Sequence, residues 1–307
     1  MAVNITMQQA KTRTKIREKG LDRVFVIFLY IVLTLILGAL LYPLIFVLSA
    51  SISDPSAIMA GRVFLFPVGF TLKAYQAVLE YAQIWVGFSN SLFYTVAGTL
   101  VNVVVTILAG YALSRKDLAG RNFFMFLFAF TMLFNGGIVP TYLVVNQLGL
   151  INTRWALIIP QALSVWNLII AVTYFRTSIP IELLEAAQLD GCSDFQYLTR
   201  VVIPLSAPIV AVLALFYAVG HWNEYFSALL YLNDKALYPL QIMLRNILVQ
   251  NQVDFTMIDI ASYSARQAMR ELLKYALIVV ATIPVLIIYP FVQKYFLKGI
   301  MIGAIKG

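Results

Sequence analysis

Two short stretches hold most of the side chains in this chain that could do chemistry. The first, Glu185 to Gly191, reads EAAQLDG and sets two carboxylates and an amide before a glycine. The second, Gly220 to Phe226, reads GHWNEYF and places His221, Trp222, Asn223, Glu224 and Tyr225 inside an otherwise apolar run. A carboxylate such as Glu185 can accept charge-assisted hydrogen bonds from a partner. An indole such as Trp222 can stack on the apolar face of a sugar ring while Asn223, Glu224 and Tyr225 meet its hydroxyls. Neither stretch pairs a nucleophile with a base, so no residue is assigned a catalytic role. Cys192 is the only cysteine and His221 the only histidine, which excludes an intrachain disulfide and any metal centre built from either type. His221 alone reads as a packed or hydrogen-bonded residue. The chain also lacks a G-x-x-x-x-G-K-[ST] phosphate loop, so any nucleotide chemistry must come from a partner.

The elements that position these residues must lie largely in lipid. The 307 residues are 61% hydrophobic and 12% charged, with a mean hydropathy of +0.85, more apolar surface than one soluble core of this length could hide. Runs at about 24–48, 86–113, 123–147, 155–175, 205–232 and 273–293 are each long enough to cross the roughly 30 Å hydrocarbon layer as helices, predicting six spans. Counted from Ile209, Glu224 lies about 22 Å along the fifth. A carboxylate near a membrane centre costs about 2.5 to 3.5 kcal/mol, so Glu224 needs a cavity or a partner helix. The alternative for Trp222, Tyr225 and Glu224 is an interfacial aromatic belt and an acid bonded to a neighbouring helix. Asn90, Asn102, Asn135 and Asn167 are further polar residues in or at spans two to four, suited to helix packing or to lining a path. Asn135-Gly136-Gly137 would permit a kink or local unwinding.

The connecting segments report topology. The first apolar run follows Lys11, Arg13, Lys15, Arg17, Lys19 and Arg23, and is too long for a signal-peptide core; it reads as a retained first helix. The net charge of +8 is spread beside the spans and forms no stripe with interleaved aromatics, which argues against nucleic acid. With six spans, the N-terminus, the 114–122 loop, the 176–204 loop and the C-terminus share the basic, cytoplasmic side. The 233–272 segment, with Lys235, Arg245, Arg266 and Arg270, departs from that bias. In the other outer segment, 49–84, the spacing of Leu72, Tyr75, Leu79 and Ala82 predicts an interfacial amphipathic helix. No internal repeat is visible. The organisation is a cytoplasmic tail at 1–23 followed by one transmembrane domain at 24–307.

EAAQLDG falls in the 176–204 loop. Pro180 suits a helix start, Ile181, Leu184 and Ala187 share a face, and Gly191 can take the left-handed turn that ends a helix. Ser193 and Gln196 have capping-box spacing, and Phe195, Leu198 and Val202 line a second short helix up to Pro204. Two short helices joined at Gly191 make a bent projection that another protein can grip.

EAAQLDG followed after nine residues by Val201-Val202-Ile203-Pro204 resembles the signature E-A-A-x-x-x-G-x9-I-x-L-P of ATP-binding-cassette importer permeases, with Val201 and Ile203 as departures of similar volume. SNSLFYT at 89–95, GYALSR at 110–115, FNGGIVPTYL at 134–143 and YPFVQKYFLKGIMIGAIKG at 289–307 are similar to the carbohydrate, maltose-type class, the FNGG and C-terminal runs to a subgroup for complex oligosaccharides. The resemblance implies an all-α fold of about six transmembrane helices, the type I importer permease architecture, in a bacterial cytoplasmic membrane with both termini cytoplasmic. It also implies a second, different permease chain, two ATPase subunits that bind the ATP, and an extracellular or periplasmic solute-binding protein delivering sugar; no cofactor and no metal are expected in this chain. Carried over, it assigns the coupling loop at about 176–208 through Glu185, Ala186, Ala187, Asp190, Gly191, Ser193, Phe195 and Arg200. Trp222, Asn223, Glu224, Tyr225, Asn135 and Asn167 are the expected substrate-path residues. Rival readings are a permease for a polyamine or peptide, an ion-coupled secondary transporter using Glu224 and His221, and a polytopic membrane enzyme.

Overall fold

A computed structural model describes residues 20–248, 271 and 273–290. The basic stretch at 11–19, the 249–270 part of the second outer segment and the 291–307 part of the C-terminal run lie outside the described residues. Helix α1 (Gly20–Ser51) leads into a short α2 (Pro55–Met59) and α3 (Lys73–Glu80), then a long α4 (Ala82–Ser114). Next come α5 (Arg121–Leu133) and α6 (Ile138–Gln147), two 3-10 turns at Arg154–Leu157 and Ile159–Gln161, and α7 (Val165–Ser178). The loop holding EAAQLDG folds as α8 (Ile181–Leu189), α9 (Asp194–Tyr197), a π-helical turn (Leu198–Val202) and α10 (Ile203–Leu205). Then follow α11 (Ala207–Asn223), α12 (Phe226–Tyr231), α13 (Leu240–Leu248) and α14 (Leu273–Pro290). Among the described residues every regular element is helical.

Among the described residues each of the six apolar runs contains helix, but only α1, α4 and α14 are single helices long enough to span. The expectation of a continuous third span at 123–147 is corrected: α5 and α6 meet at 115°. Phe134 leaves the helix, Asn135 Oδ1 accepts the Gly137 N–H at 2.8 Å, and Gly137 sits at φ +88°, a conformation glycine takes without Cβ strain. The residues that permitted a kink thus make a full corner. The 154–161 turns meet α7 at 49°, and the 194–205 segment meets α11 at 82°. The fifth run, expected over 205–232, is therefore interrupted twice, at Ser206 and again at Glu224, whose backbone is extended.

Helix α4 is the centre of the bundle. Its small and polar positions Gly87, Asn90, Ser91, Thr95, Gly98, Asn102, Thr106 and Gly110 are buried, and α7, α11 and α13 pack around it. Small residues let helix backbones approach closely where no hydrophobic force acts between helices in lipid. At Gly98 the α11 ring of His221 occupies the space a side chain would need: a Cβ there would stand 2.4 Å from His221 Nε2.

The described parts of the 49–84 and 233–272 segments are stitched down mostly by side chain to backbone bonds. Asn90 donates to the Ala236 and Tyr238 carbonyls, Tyr94 to Leu237, and Ser91 Oγ accepts the Leu240 N–H. Asn152 Oδ1 accepts the N–H groups of Asn233 and Asp234. At the end of α1, Ser49 Oγ donates to the Leu65 carbonyl, Ser51 and Tyr75 hydroxyls meet at 2.8 Å, and Ser53 Oγ accepts the Val68 N–H. The amphipathic helix expected near 72–82 exists as α3, with its apolar face rotated. Ala74, Ala77 and Val78 are buried, while Leu72 and Leu79 are exposed and Ala82 begins α4.

Candidate functional site

The loop from α8 to α10 is built by local rules. Pro180 caps α8 with an extended backbone, and Gly191 closes it at φ +72° while its N–H and that of Cys192 return to the Gln188 and Ala187 carbonyls. Ser193 and Gln196 form both bonds of the expected capping box. Leu184, Ala187 and Cys192 lean on the cluster of Ile107, Phe175, Tyr197, Leu198, Val202 and Leu213, which seats the loop on α4, α7 and α11. Glu185, Ala186, Asp190, Ser193 and Arg200 are exposed and Ala187 is half-buried. Two apolar faces differ from expectation. Ile181 is exposed beside the half-buried Leu184, and Phe195 is 70% exposed although Leu198 and Val202 are buried. The helix is ordinary over Asp194–Tyr197 and widens to a π-helical turn only over Leu198–Val202, so the turn shifts the register of Val202 and not that of Phe195 against Leu198.

Arg115 ties this loop to the neighbouring 115–120 turn. Its guanidinium forks onto Asp117 at 2.8 and 2.6 Å, donates to Tyr111 Oη at 3.0 Å and reaches Asp194 Oδ1 at 3.0 Å. That fork holds the Asp117 carboxyl down at about 2 and raises the guanidinium pKa further. Beneath it the Tyr111 and Tyr197 rings lie 6.3 Å apart, and Arg176 donates to the Leu113 carbonyl. The cleft between these elements encloses about 750 Å³ and is lined by Glu182 and Glu185 together with Arg121 and Arg176. Sequence reasoning missed the Arg115 to Asp194 tie. Arg115 and Asp117 are close in sequence, but Asp194 is 79 residues away and carries no local signal.

The residues expected to line a path do not form one site. Trp222 is 4% exposed, donates its indole N–H to the Ala281 carbonyl at 3.0 Å and stands edge-on to Phe88. Here the indole is held between α4 and α14. Glu224, freed from the helix at the α11 end, accepts the Ser227 N–H at 2.8 Å and a bond from Gln161 at 3.2 Å, while Gln161 also reaches Ser227 Oγ. Asn223 donates back to Val219, and Tyr225 is exposed. Asn135 belongs to the α5–α6 corner, far in role from Glu224. Asn167 is 6% exposed, and among the described residues its side-chain amide makes no hydrogen bond. Gln161, which no motif marks, is the residue that joins the Glu224 group to the start of α7. Among the described residues no group of three acidic, histidine or cysteine side chains is placed to hold a metal.

Comparison with known proteins places these features in a lineage. Residues 102–302 match the family model described as the binding-protein-dependent transport system inner membrane component. The polygalacturonan/rhamnogalacturonan transport system permease protein YtcP of Bacillus subtilis is 42% identical over 93% of this chain and 99% of its own length. The protein LplC of the same organism is 42% identical over 86% of this chain and 89% of its own. In structure, the chain is similar to one from a bacterial ABC transporter involved in the import of the acidic polysaccharide alginate. The TM-score is 0.84 at 37% identity, covering 91% of this chain and 98% of that one.

Proposed function

This chain belongs to the family of binding-protein-dependent transport system inner membrane components, and from that premise we propose how it works as the carbohydrate permease subunit of an ATP-binding-cassette importer. It is a multi-pass transport subunit, not a member of an enzyme class. In our reading it has no catalytic chemistry or cofactor of its own: ATP is bound by two partner ATPase subunits, a second permease chain completes the pathway, and a solute-binding protein outside the membrane delivers the cargo. Both termini and the α8–α10 loop face the cytoplasm. The cargo is an oligosaccharide. Names of relatives that include polygalacturonan, rhamnogalacturonan and alginate favour chains that carry uronic acids over neutral ones.

One observation carries the coupling role. The α8–α10 loop is rigidly capped and seated on the bundle, yet it presents Leu189 at 89% and Phe195 at 70% exposure beside the acidic residues Glu182 and Glu185. Apolar side chains held out on an ordered projection, rimmed by charge, are a protein contact waiting for its partner. Glu185 supplies a charge-assisted bond to an ATPase subunit, Ala186 and Ala187 allow close approach, and Asp190, Gly191, Ser193 and Arg200 hold the bend that the ATPase pushes on. Because α10 runs through the 82° bend into α11, a displacement of the loop reaches the membrane helices directly.

The test uses Gly191→Pro, which locks φ near −65° where +72° is required, and Glu185→Lys, which reverses the contact charge. Both variants are expected to insert at normal levels and fail to retain the ATPase subunits through purification. Normal co-purification with normal solute-stimulated ATP hydrolysis in both would overturn the assignment.

A further inference from the structure

A recess of about 410 Å³ opens between α4, the start of α7 and α11. That is in the range of about 300 to 1,000 Å³ expected of small-molecule sites. Among the described residues its polar lining is neutral in kind, made of amides and hydroxyls from Asn102, Gln161, Ser164, Asn167 and Tyr217 with the imidazole of His221, and includes no lysine, arginine or carboxylate. Most of these groups are already engaged. Asn102 donates to the Gln161 carbonyl and pairs with His221 Nε2, and Tyr217 Oη meets Thr106 Oγ1 and accepts the Ser164 N–H. They form a fixed frame. Asn167 is the exception: nine-tenths buried, it has one carbonyl acceptor and two N–H donors without a hydrogen bond among the described residues. Its amide atoms are reached from the recess rather than sealed in the packing, so a polar group that enters the recess can bond them.

We propose that this recess is a sugar subsite, taking one ring of the translocating glycan with the Asn167 amide bonded to a pair of neighbouring hydroxyls. The proposal rests on the carbohydrate reading above and adds a place and a chemistry to it. A vicinal diol offers a donor and an acceptor side by side, the complement of a primary amide. Phe216, 40% exposed, forms an apolar wall of the same recess, which suits the C–H face of a pyranose. With no cation among the described lining residues, none of them can pair with a carboxylate. It recognises the uncharged hydroxyl edge of a ring, and any uronate group of the cargo must point out of it. Gln161 lies at the mouth and carries the bond to Glu224, so the acid borders the subsite without entering it.

The experiment compares the wild-type importer with Asn167→Leu and Asn167→Asp, expressed with all partner subunits. Cells are given a hydrolysate of mixed pectin, arabinan and alginate, and the imported chains are counted by mass spectrometry per assembled complex. Asn167→Leu should lower uptake of all imported chains by about five- to tenfold, the loss of one or two hydrogen bonds to the sugar. Asn167→Asp places a carboxylate against the ring and should cut uronate-bearing chains several-fold more than neutral ones, a shift in composition that a packing defect cannot produce. Unchanged uptake per complex in both variants, or an equal loss of neutral and acidic chains in Asn167→Asp, would overturn the subsite while leaving the carbohydrate reading intact. If the wild-type importer takes up no oligosaccharide from the mixture, the carbohydrate reading fails, and the subsite with it.

Discussion

Arg115 shows how one side chain can join two surface segments without a large contribution to stability. Its partners Asp117 and Asp194 are mostly exposed, and ion pairs of that kind contribute about 0.2 to 1 kcal/mol each. Its value is positional: the planar fork fixes Asp117 while a third direction holds the first turn of α9. Lysine keeps the charge and cannot keep the fork. Arg115→Lys is therefore expected to leave expression and melting temperature within a degree or two, while transport per ATP hydrolysed falls at least twofold in reconstituted importer. An unchanged ratio would show that the tie does not transmit motion. The pH dependence has a definite sign. The Asp117 carboxyl is held down at about 2, so this contribution is complete above the ordinary carboxylate value of 3.8 and is lost only as pH falls toward 2. Between pH 5 and 8 the Arg115 tie should impose no titration on transport, and an inflection in that range that disappears in Arg115→Lys would contradict it.

At the scale of helices, the close approach of α4 and α11 depends on Gly98. A methyl group there would lie 2.4 Å from His221 Nε2, so the imidazole must move and its bond to Asn102 must break. Gly98→Ala should destabilise the detergent-solubilised subunit by about 1 to 3 kcal/mol, the range for overpacking a filled interior. Shortening the opposing ring in Gly98→Ala with His221→Ala should recover part of the loss relative to the two single variants. A melting curve that adds the two effects without coupling would deny the contact. This pairing also marks the limit of what the amino-acid order reveals. Apolar runs located all six helical regions, because lipid demands about 20 apolar residues wherever a helix crosses it. The capping box at Ser193 and the left-handed turn at Gly191 were equally legible, since both are settled within four residues. The 115° corner was only half legible: Asn135-Gly136-Gly137 declares freedom to bend and not the angle. The packing of Trp222 was not legible because its partner, the Ala281 carbonyl, is 59 residues away, and an indole written in an apolar run looks alike whether it faces a sugar or a helix. Asn167 was singled out and its surroundings were not, because Asn102, Tyr217 and His221 come together only through the crossing of α4, α7 and α11.

For the whole molecule, the first question is which side faces inward. Cys192, the only thiol, is half-buried where α8 turns toward α9. In intact cells that express the permease pair without its ATPases, it should resist a membrane-impermeant maleimide and react once the membrane is opened. Ready labelling of intact cells would reverse the orientation and remove the coupling role with it. Helix α1 raises a different matter. At 1.5 Å per residue its 32 residues make a rod about 48 Å long. The buried part of that rod is Ser49, Ala50 and Ser51, joined by the contact of Phe46 with Tyr275 and the serine bonds to the 65–75 segment. The rod is hinged at one end. A pivot of about 10° at that hinge would sweep Gly20 through about 8 Å, as the same length dictates. Among the described residues nothing buries the Gly20 end of α1, so its location answers to what surrounds it, and a spin label near Gly20 would report on those neighbours as a needle reports on a gauge.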